Sequence, residues 1–221
     1  MRTVSAIKNI NSTLIVYGFN MVLQFIIRFV LLYYLSIEYL GLNGLFDNIL
    51  TVLSLTELGI GPAIIFSLYA PLANHDLETA KSIMRIFKKA YIYIGTLILF
   101  LGLCISPFVQ YLIKVPPNIA YLNIFFLLFV VDTGISYFYS YKKCLLIADQ
   151  KQYIANYYRG ITQLIGSLFQ IALVILTHSF WVYIILRICM TFSENFLIAR
   201  KADHLYSFLN EKNIQPLNKD I

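Results

Sequence analysis

The stretch from Asn11 to Ser36, NSTLIVYGFNMVLQFIIRFVLLYYLS, is longer than the roughly 20 residues that an apolar helix needs to cross a bilayer. Its polar side chains recur every three or four positions, at Thr13, Tyr17, Asn20, Gln24 and Arg28. At about 100° per residue, they occupy an arc of about 80° on a helix, and the rest of the surface is mainly Leu, Ile, Val and Phe. Because a charge at membrane depth costs about 2.5–3.5 kcal/mol, the face that bears Arg28 is predicted to meet protein or a watery cavity.

The composition of the whole chain is that of a polytopic membrane protein. Its 221 residues are 59% hydrophobic and only 13% charged, whereas soluble domains have about 25% charged residues. The net charge is +6, but the cations are spread over the edges of the apolar stretches, so nucleic-acid binding is not expected. We therefore predict an all-α fold, a bundle of membrane-spanning helices.

Six transmembrane helices are expected, at about Asn11–Ser36, Leu40–Ala70, Phe87–Ile113, Ile119–Tyr141, Tyr158–Leu176 and Phe180–Ala199. Residues 1–200 would form this six-helix lobe, and residues 201–221 a polar cytoplasmic tail. In the second span, Gly59-Ile-Gly-Pro62 predicts a bend, because Pro removes a helix hydrogen bond and Gly loosens the backbone. The third span carries almost no polar residues and is expected to pack through Gly95 and Gly102.

The distribution of Lys and Arg predicts the topology. They lie before the first span, between residues 81 and 89, between residues 142 and 159, and after residue 199, whereas the opposite turns contain only Lys114. The positive-inside rule places both termini in the cytoplasm. Asn74 or Asp76 is expected to cap a helix whose cations, from Lys81 to Lys89, approach the lipid phosphates.

Four further spans carry polar stripes on one helical face. These are Asn43, Asp47, Thr51, Ser54, Glu57 and Gly61 in the second span, Asp132, Ser136, Tyr139 and Lys143 in the fourth, Arg159, Gln163, Gly166, Gln170 and Thr177 in the fifth, and Arg187, Thr191 and Glu194 in the sixth. Stripes of this kind point to a transport path through the bundle. For Gln163 and Gln170, hydrogen bonding between helices is the simpler interpretation.

Two interpretations of Arg28 stay open at this point. It could line a path for an anionic substrate, or it could form a structural ion pair with Asp47, Glu57 or Asp132. Arg187 and Glu194 are equally open to a structural or a functional role. Asp132, alone near the middle of its span, could take up a proton if desolvation disfavours its charged form.

No catalytic or metal-binding motif stands out. The chain has no Gly-x-Ser-x-Gly, no His-Glu-x-x-His and no phosphate-cradling Gly loop. His75, His178 and His204 lie in loops or the tail and do not cluster, so neither a metal nor a cofactor is expected. These observations favour a transporter over an enzyme.

Several motifs resemble the polysaccharide flippases of the superfamily that includes the MATE drug exporters. They are Tyr39–Leu50 (YLGLNGLFDNIL), Leu53–Gly61 (LSLTELGIG), Ala63–Tyr69 (AIIFSLY) with Pro71-Leu72, and a basic segment ending in Lys88-Lys89-Ala-Tyr91. The resemblance covers essentially the whole chain but only half of such a protein. It implies one six-helix lobe of a two-lobe transporter, with the tail as the start of the interlobe linker.

The resemblance also implies a substrate and a place for it. The substrate would be a polyprenyl-diphosphate-linked oligosaccharide, moved from the inner to the outer leaflet of a bacterial cytoplasmic membrane for surface polysaccharide synthesis. Arg28, Arg187 and Arg159 would face its phosphates, Asn20, Gln24, Asn43 and Gln163 would bind sugar, and Asp47, Glu57 and Asp132 would be candidates for ion or proton coupling.

A single lobe supplies only half of such a cavity. Either the chain is a truncated product or fragment, or it pairs with another copy or with a separate second lobe. Two alternatives to the flippase remain at the level of sequence. One is a MATE-type drug or metabolite exporter, which an acidic, aromatic cavity without Arg would favour, and the other is a membrane-embedded glycosyl or phosphatidyl transferase.

The predicted topology can be tested with reporter fusions. A fusion after Asn118 is expected to report the outside, and one after Asp203 the cytoplasm, because the cations lie on the cytoplasmic side. An outside signal after Asp203, or an inside signal after Asn118, would overturn the assignment.

Overall fold

The computed structural model describes residues 2–57, 59–113 and 119–210, and these residues form an all-helical bundle. Its helices are α1 (Arg2–Tyr34), α2 (Ile37–Ser54), α3 (Ile60–Ala73), α4 (Leu77–Ile105), α5 (Leu122–Ala148), α6 (Gln152–Thr177) and α7 (Phe180–Leu205). Short 3-10 segments follow α2, α4 and α7. The all-α prediction is confirmed.

Five helical segments are long and apolar enough to cross a membrane. They are Ser5–Tyr34, Leu77–Leu112, Leu122–Ala148, Gln152–Thr177 and Phe180–Leu205. Only 22–39% of the most apolar window of each segment is buried within the bundle, so most of this apolar surface faces outward. Such a surface is suited to lipid and not to water, which supports a multi-pass membrane protein.

The expected second span, from Leu40 to Ala70, is two helices and not one. A 3-10 turn at Leu55–Glu57 ends α2, and Gly59 adopts a left-handed conformation with φ of 90° immediately before α3. The predicted bend is therefore confirmed in position, but the helix is interrupted there, because a left-handed residue cannot continue a right-handed helix. The count of six spans stays a prediction.

The short segment between α3 and α4 carries the predicted helix cap. Helix α3 includes Pro71 and ends two residues later, at Ala73. The Asp76 cap is confirmed, because its carboxylate accepts a hydrogen bond of 3.0 Å from the backbone N–H of Thr79. Hydrogen bonding from the side chain of Thr79, and then from its backbone N–H, lowers the pKa of Asp76. Lys81, expected near lipid phosphates, is only 4% exposed and lies 3.8 Å from Glu78.

The bundle packs around two hydrophobic clusters. One joins α3 and α4 to the C-terminal half of α5, and includes Ile64, Ile98 and Leu145. The other joins α1, α2 and the start of α7 to the N-terminal half of α5, and includes Phe46 and Phe129. Helix α5 contributes to both clusters and is the central element of the bundle.

The chain remains packed beyond residue 200. Helix α7 continues to Leu205, and the side chains of Tyr206 and Phe208 are buried against the first cluster. The Tyr206 hydroxyl donates a 2.6 Å hydrogen bond to Asp149, and burial together with this carboxylate raises the pKa of Tyr206. The predicted tail thus begins with the end of α7 and a 3-10 segment in which Ala202, Tyr206 and Phe208 are buried, and residues 211–221 lie outside the described part.

Small residues bring α4 and α5 into close contact, as predicted for Gly95 and Gly102. A Cβ atom on Gly95 would lie 3.1 Å from the Cβ of Tyr137, and one on Gly102 would overlap the side chain of Val130. On α5, a Cβ atom on Gly134 would lie only 2.6 Å from the Cδ2 atom of Leu99. The backbones of the two helices approach each other because these positions lack side chains.

We expect Gly102→Ala to destabilise the bundle by about 1–3 kcal/mol, the usual cost of overpacking a filled core. Gly41→Ala is the matched control, because a Cβ at Gly41 meets nothing within 4 Å and Ala is favoured over Gly in a helix by about 0.5–1 kcal/mol. Unfolding in mixed detergent micelles measures both variants. Equal stability of the two would contradict the close approach of α4 and α5.

Candidate functional site

Five helices surround a polar cavity of about 310 Å³. It is lined by Gln24, Ile27 and Arg28 from α1, Asn43 and Asp47 from α2, Asp132 from α5, Gln163 and Gln170 from α6, and Tyr183, Arg187, Met190 and Thr191 from α7. Seven of these side chains were singled out in the sequence as candidate substrate or coupling residues: Gln24, Arg28, Asn43, Asp47, Asp132, Gln163 and Arg187. Folding thus brings together polar stripes of helices as far apart in the sequence as α1 and α7.

The guanidinium of Arg187 is held between two carboxylates. Its Nε donates to Asp132 Oδ2 at 2.8 Å, and its Nη2 donates to Asp47 Oδ1 at 2.7 Å. A weaker contact of 3.4 Å from Nη1 to Asp47 Oδ2 completes a bidentate pair. Since Arg187 lies on α7, Asp47 on α2 and Asp132 on α5, this cluster connects three helices.

Other side chains hold this cluster in place. Asn43 Oδ1 accepts a 2.9 Å hydrogen bond from the Tyr183 hydroxyl and a 3.3 Å bond from Arg187 Nη1. The guanidinium carbon of Arg187 lies 4.4 Å from the centroid of the Phe129 ring, which is fully buried. Gln170 donates to the backbone carbonyl of Tyr183 at 2.9 Å, so the expected hydrogen bonding of this residue between helices is confirmed.

The charges of the cluster do not balance. Two carboxylates face one guanidinium, so the Asp47–Arg187–Asp132 cluster carries a formal charge of −1. Asp132 is the more buried acid, with 7% of its side chain exposed against 41% for Asp47. Its Oδ1 is buried and has no hydrogen-bond partner among the described residues.

Arg28 is placed differently from Arg187. It is exposed on the wall of the cavity, one helical turn from Gln24. No ion pair involving Arg28 occurs among residues 2–57, 59–113 and 119–210, since Asp47 and Asp132 are both paired with Arg187. The structural ion pair considered for Arg28 is thus formed by Arg187, and Arg28 remains available to an external anion.

Three candidate residues lie outside the cavity lining. Asn20 is one, although its Oδ1 is buried and has no hydrogen-bond partner among the described residues. Arg159 lies 3.9 Å from Glu194, and its guanidinium carbon is 5.3 Å from the Tyr17 ring centroid. Glu57 accepts a 2.7 Å hydrogen bond from the Tyr91 hydroxyl at the break between α2 and α3. Helix periodicity gives the angular position of a residue but not its depth, and Glu57 lies in the 3-10 turn that interrupts the helix.

Tyr183 is a cavity residue that the sequence analysis did not single out for this site. As an aromatic next to Trp181 at the start of a span, it looks like an interfacial residue, yet it is buried and donates to Asn43. Its position four residues before Arg187 places both on one face of α7. That spacing is the signal that could have linked Tyr183 to the polar stripe.

Comparison with known proteins adds no relative. No family model, no curated protein and no solved structure matches this chain.

We expect Arg187→Ala to destabilise the protein by about 3 kcal/mol, because it leaves Asp132 buried without its cation. Neutralising the acid in Arg187→Ala/Asp132→Asn should restore much of this loss. Arg28→Ala, which removes the same charge from the same cavity but breaks no ion pair, should change stability by less than about 0.5 kcal/mol.

Unfolding in mixed micelles measures all three variants. If Arg28→Ala costs as much as Arg187→Ala, or if the double variant is no more stable than Arg187→Ala, the two arginines do not have these separate roles.

Proposed function

We propose that this chain forms one lobe of a flippase that moves a polyprenyl-diphosphate-linked oligosaccharide from the inner to the outer leaflet of a bacterial cytoplasmic membrane. The observation that carries the proposal is Arg28, which forms no ion pair among the described residues and lies on the wall of a polar cavity within an apolar bundle. An arginine at membrane depth needs an anionic partner or water, and a diphosphate is an anion that the guanidinium fork can bind bidentately.

The cavity lining also suits the rest of such a substrate. Gln24 and Gln163 present amide groups that can both donate and accept hydrogen bonds, as sugar hydroxyls require. The apolar outer surface of the bundle leaves lipid next to the cavity, where a prenyl chain would remain dissolved. The cavity contains Arg28 and Arg187 beside Asp47 and Asp132, so it is not the acidic cavity without Arg that would favour a MATE-type exporter.

The Asp47–Arg187–Asp132 cluster is the proposed coupling element. A coupling ion bound at this cluster would offset its formal charge of −1 while both contacts of Arg187 remain. Because the cluster connects α2, α5 and α7, a change in its charge would act on how these helices pack. Glu57 lies outside the cavity and belongs to the helix break, so we assign coupling to Asp132 and Asp47.

The exposure of the polar stripe on α1 supports a second lobe. Tyr17 and Arg28 are both exposed on the described part of the chain, and the cavity volume is at the lower end of the range for small-molecule sites. A facing lobe would enclose the stripe and enlarge the cavity, and alternating access would follow from movement of the two lobes.

Export of surface polysaccharide tests the proposal, in a host that lacks its own flippase and supplies a second six-helix lobe. We expect Arg28→Ala to lower export by about ten- to hundredfold, the loss of one hydrogen-bonded charge contact. Arg28→Lys should retain part of the activity, because an ammonium still acts as a point charge toward phosphate. Arg85→Ala on α4 is the matched control, since it removes an exposed arginine far from the cavity.

Protein abundance in the membrane must be measured with export. Loss of export at normal abundance supports the role of Arg28, whereas normal export by Arg28→Ala would exclude it. Equal loss in Arg85→Ala would show that surface charge, and not the cavity, is responsible.

A further inference from the structure

A second cavity lies between α1 and α6, on a part of the bundle that shares no lining residue with the polar cavity. Its volume is about 690 Å³. Its walls are largely apolar and aromatic, with Ile15 and Val16 from α1 and Ile154, Tyr157 and Tyr158 from α6. Ile15 and Tyr157 are 70% and 63% exposed, so the cavity is a groove open to the surroundings of the bundle.

The floor of the groove is firmly held. Asn156 of α6 donates hydrogen bonds of 3.0 and 2.8 Å to the hydroxyl groups of Ser12 and Thr13 on α1. A little further along, a Cβ atom on Gly160 would lie 3.3 Å from Val16. The two helices are therefore in contact beneath the groove, and its shape does not depend on a flexible loop.

Two lysines, Lys8 of α1 and Lys201 of α7, lie at one end of the groove. Lys8 lies over the ring of Tyr153, with its Nζ 5.9 Å from the ring centroid. Among the residues that the structure describes, neither lysine forms a salt bridge. This end of the groove thus carries two positive charges that no acidic side chain of the described residues compensates through a salt bridge.

The lysines also lie at a defined depth. Lys8 precedes the apolar part of α1, and Lys201 follows the apolar part of α7, so both belong to the same boundary of the membrane. From Lys8 to Val16 the groove extends about 12 Å along α1, at about 1.5 Å per residue. Its charged end is therefore at the level of lipid head groups, and its apolar part is at the level of acyl chains.

We propose that this groove binds an anionic glycerophospholipid. The phosphate lies between Lys8 and Lys201, and one acyl chain follows Ile15, Val16 and Tyr157. A free phosphate or other soluble anion would use the lysines but not the apolar walls, and a zwitterionic lipid would use the walls without a net charge for the lysines. The groove is separate from the proposed flippase cavity, so the two proposals do not depend on each other.

Quenching of a single tryptophan by brominated lipid tests this site in the full chain. Trp181 is the one tryptophan of the sequence and lies at the opposite end of α7, so Trp181→Phe provides a silent background and Tyr157→Trp places the reporter in the groove. We expect brominated phosphatidylglycerol to quench the fluorescence of the introduced tryptophan at a lower lipid fraction than brominated phosphatidylcholine does. The lipid fraction that gives half of the full quenching should differ by about fivefold for each lysine.

Charge variants locate the preference. Lys8→Gln/Lys201→Gln should abolish the preference for phosphatidylglycerol, and Lys8→Arg/Lys201→Arg should retain it. Lys88→Gln/Lys89→Gln is the matched control, because it removes two exposed lysines from α4, which packs mainly on α5 and α3, and it should leave the preference unchanged.

Three outcomes would overturn the proposal. Equal quenching by the two lipids would mean that the groove accepts any acyl chain. Equal loss of preference in the Lys88/Lys89 control would mean that the charge of the whole surface is responsible. Weak quenching by both lipids would mean that protein fills the groove.

Discussion

The guanidinium of Arg187 lies between the carboxylates of Asp47 and Asp132, and the arrangement of the polar cavity depends on this contact. A charged group inside an apolar bundle is tolerated only when it is paired and hydrogen-bonded. The contact therefore requires α2, α5 and α7 to meet at one level. Asn43, Tyr183 and the ring of Phe129 contact each other or Arg187 around this cluster, whereas Arg28 lines the same cavity and forms no ion pair among the described residues.

The cavity thus contains two arginines with different physical roles. Arg187 is neutralised by its neighbours, and its removal would leave Asp132 buried without its cationic partner. Arg28 contributes to no ion pair among the described residues, so its positive charge is directed at whatever occupies the cavity. In the proposed flippase, this separation allows one arginine to maintain the fold while the other binds the substrate.

Outside the cavity, two further features distinguish this bundle. The break between α2 and α3 combines the left-handed Gly59 with a carboxylate, Glu57, that is held by Tyr91 of α4. The groove between α1 and α6 combines apolar walls with two lysines that form no salt bridge among the described residues. The polar cavity, the break and the groove share no residue, so each can be altered without substituting a residue of the others.

The sequence by itself determined the class of the fold and the polar face of each helix. Hydrophobic length predicted apolar helices of a multi-pass bundle, the 3.6-residue period placed Gln24 and Arg28 on one face, and Gly59 with Pro62 marked the break. These are local properties, because they follow from the geometry of a single helix and the cost of placing polar groups in lipid.

Only the tertiary structure decided which of the polar residues meet. Several acids could have paired with Arg28, and periodicity gives no information on the depth or rotation of one helix relative to another. The structure pairs Asp47 and Asp132 with Arg187, buries Tyr183 beside them, and leaves Arg159 and Glu57 outside the cavity. The physical reason is that ion pairs between helices depend on packing, and packing is set by the close contacts of small residues such as Gly102 and Gly134 and by the fit of the two hydrophobic clusters.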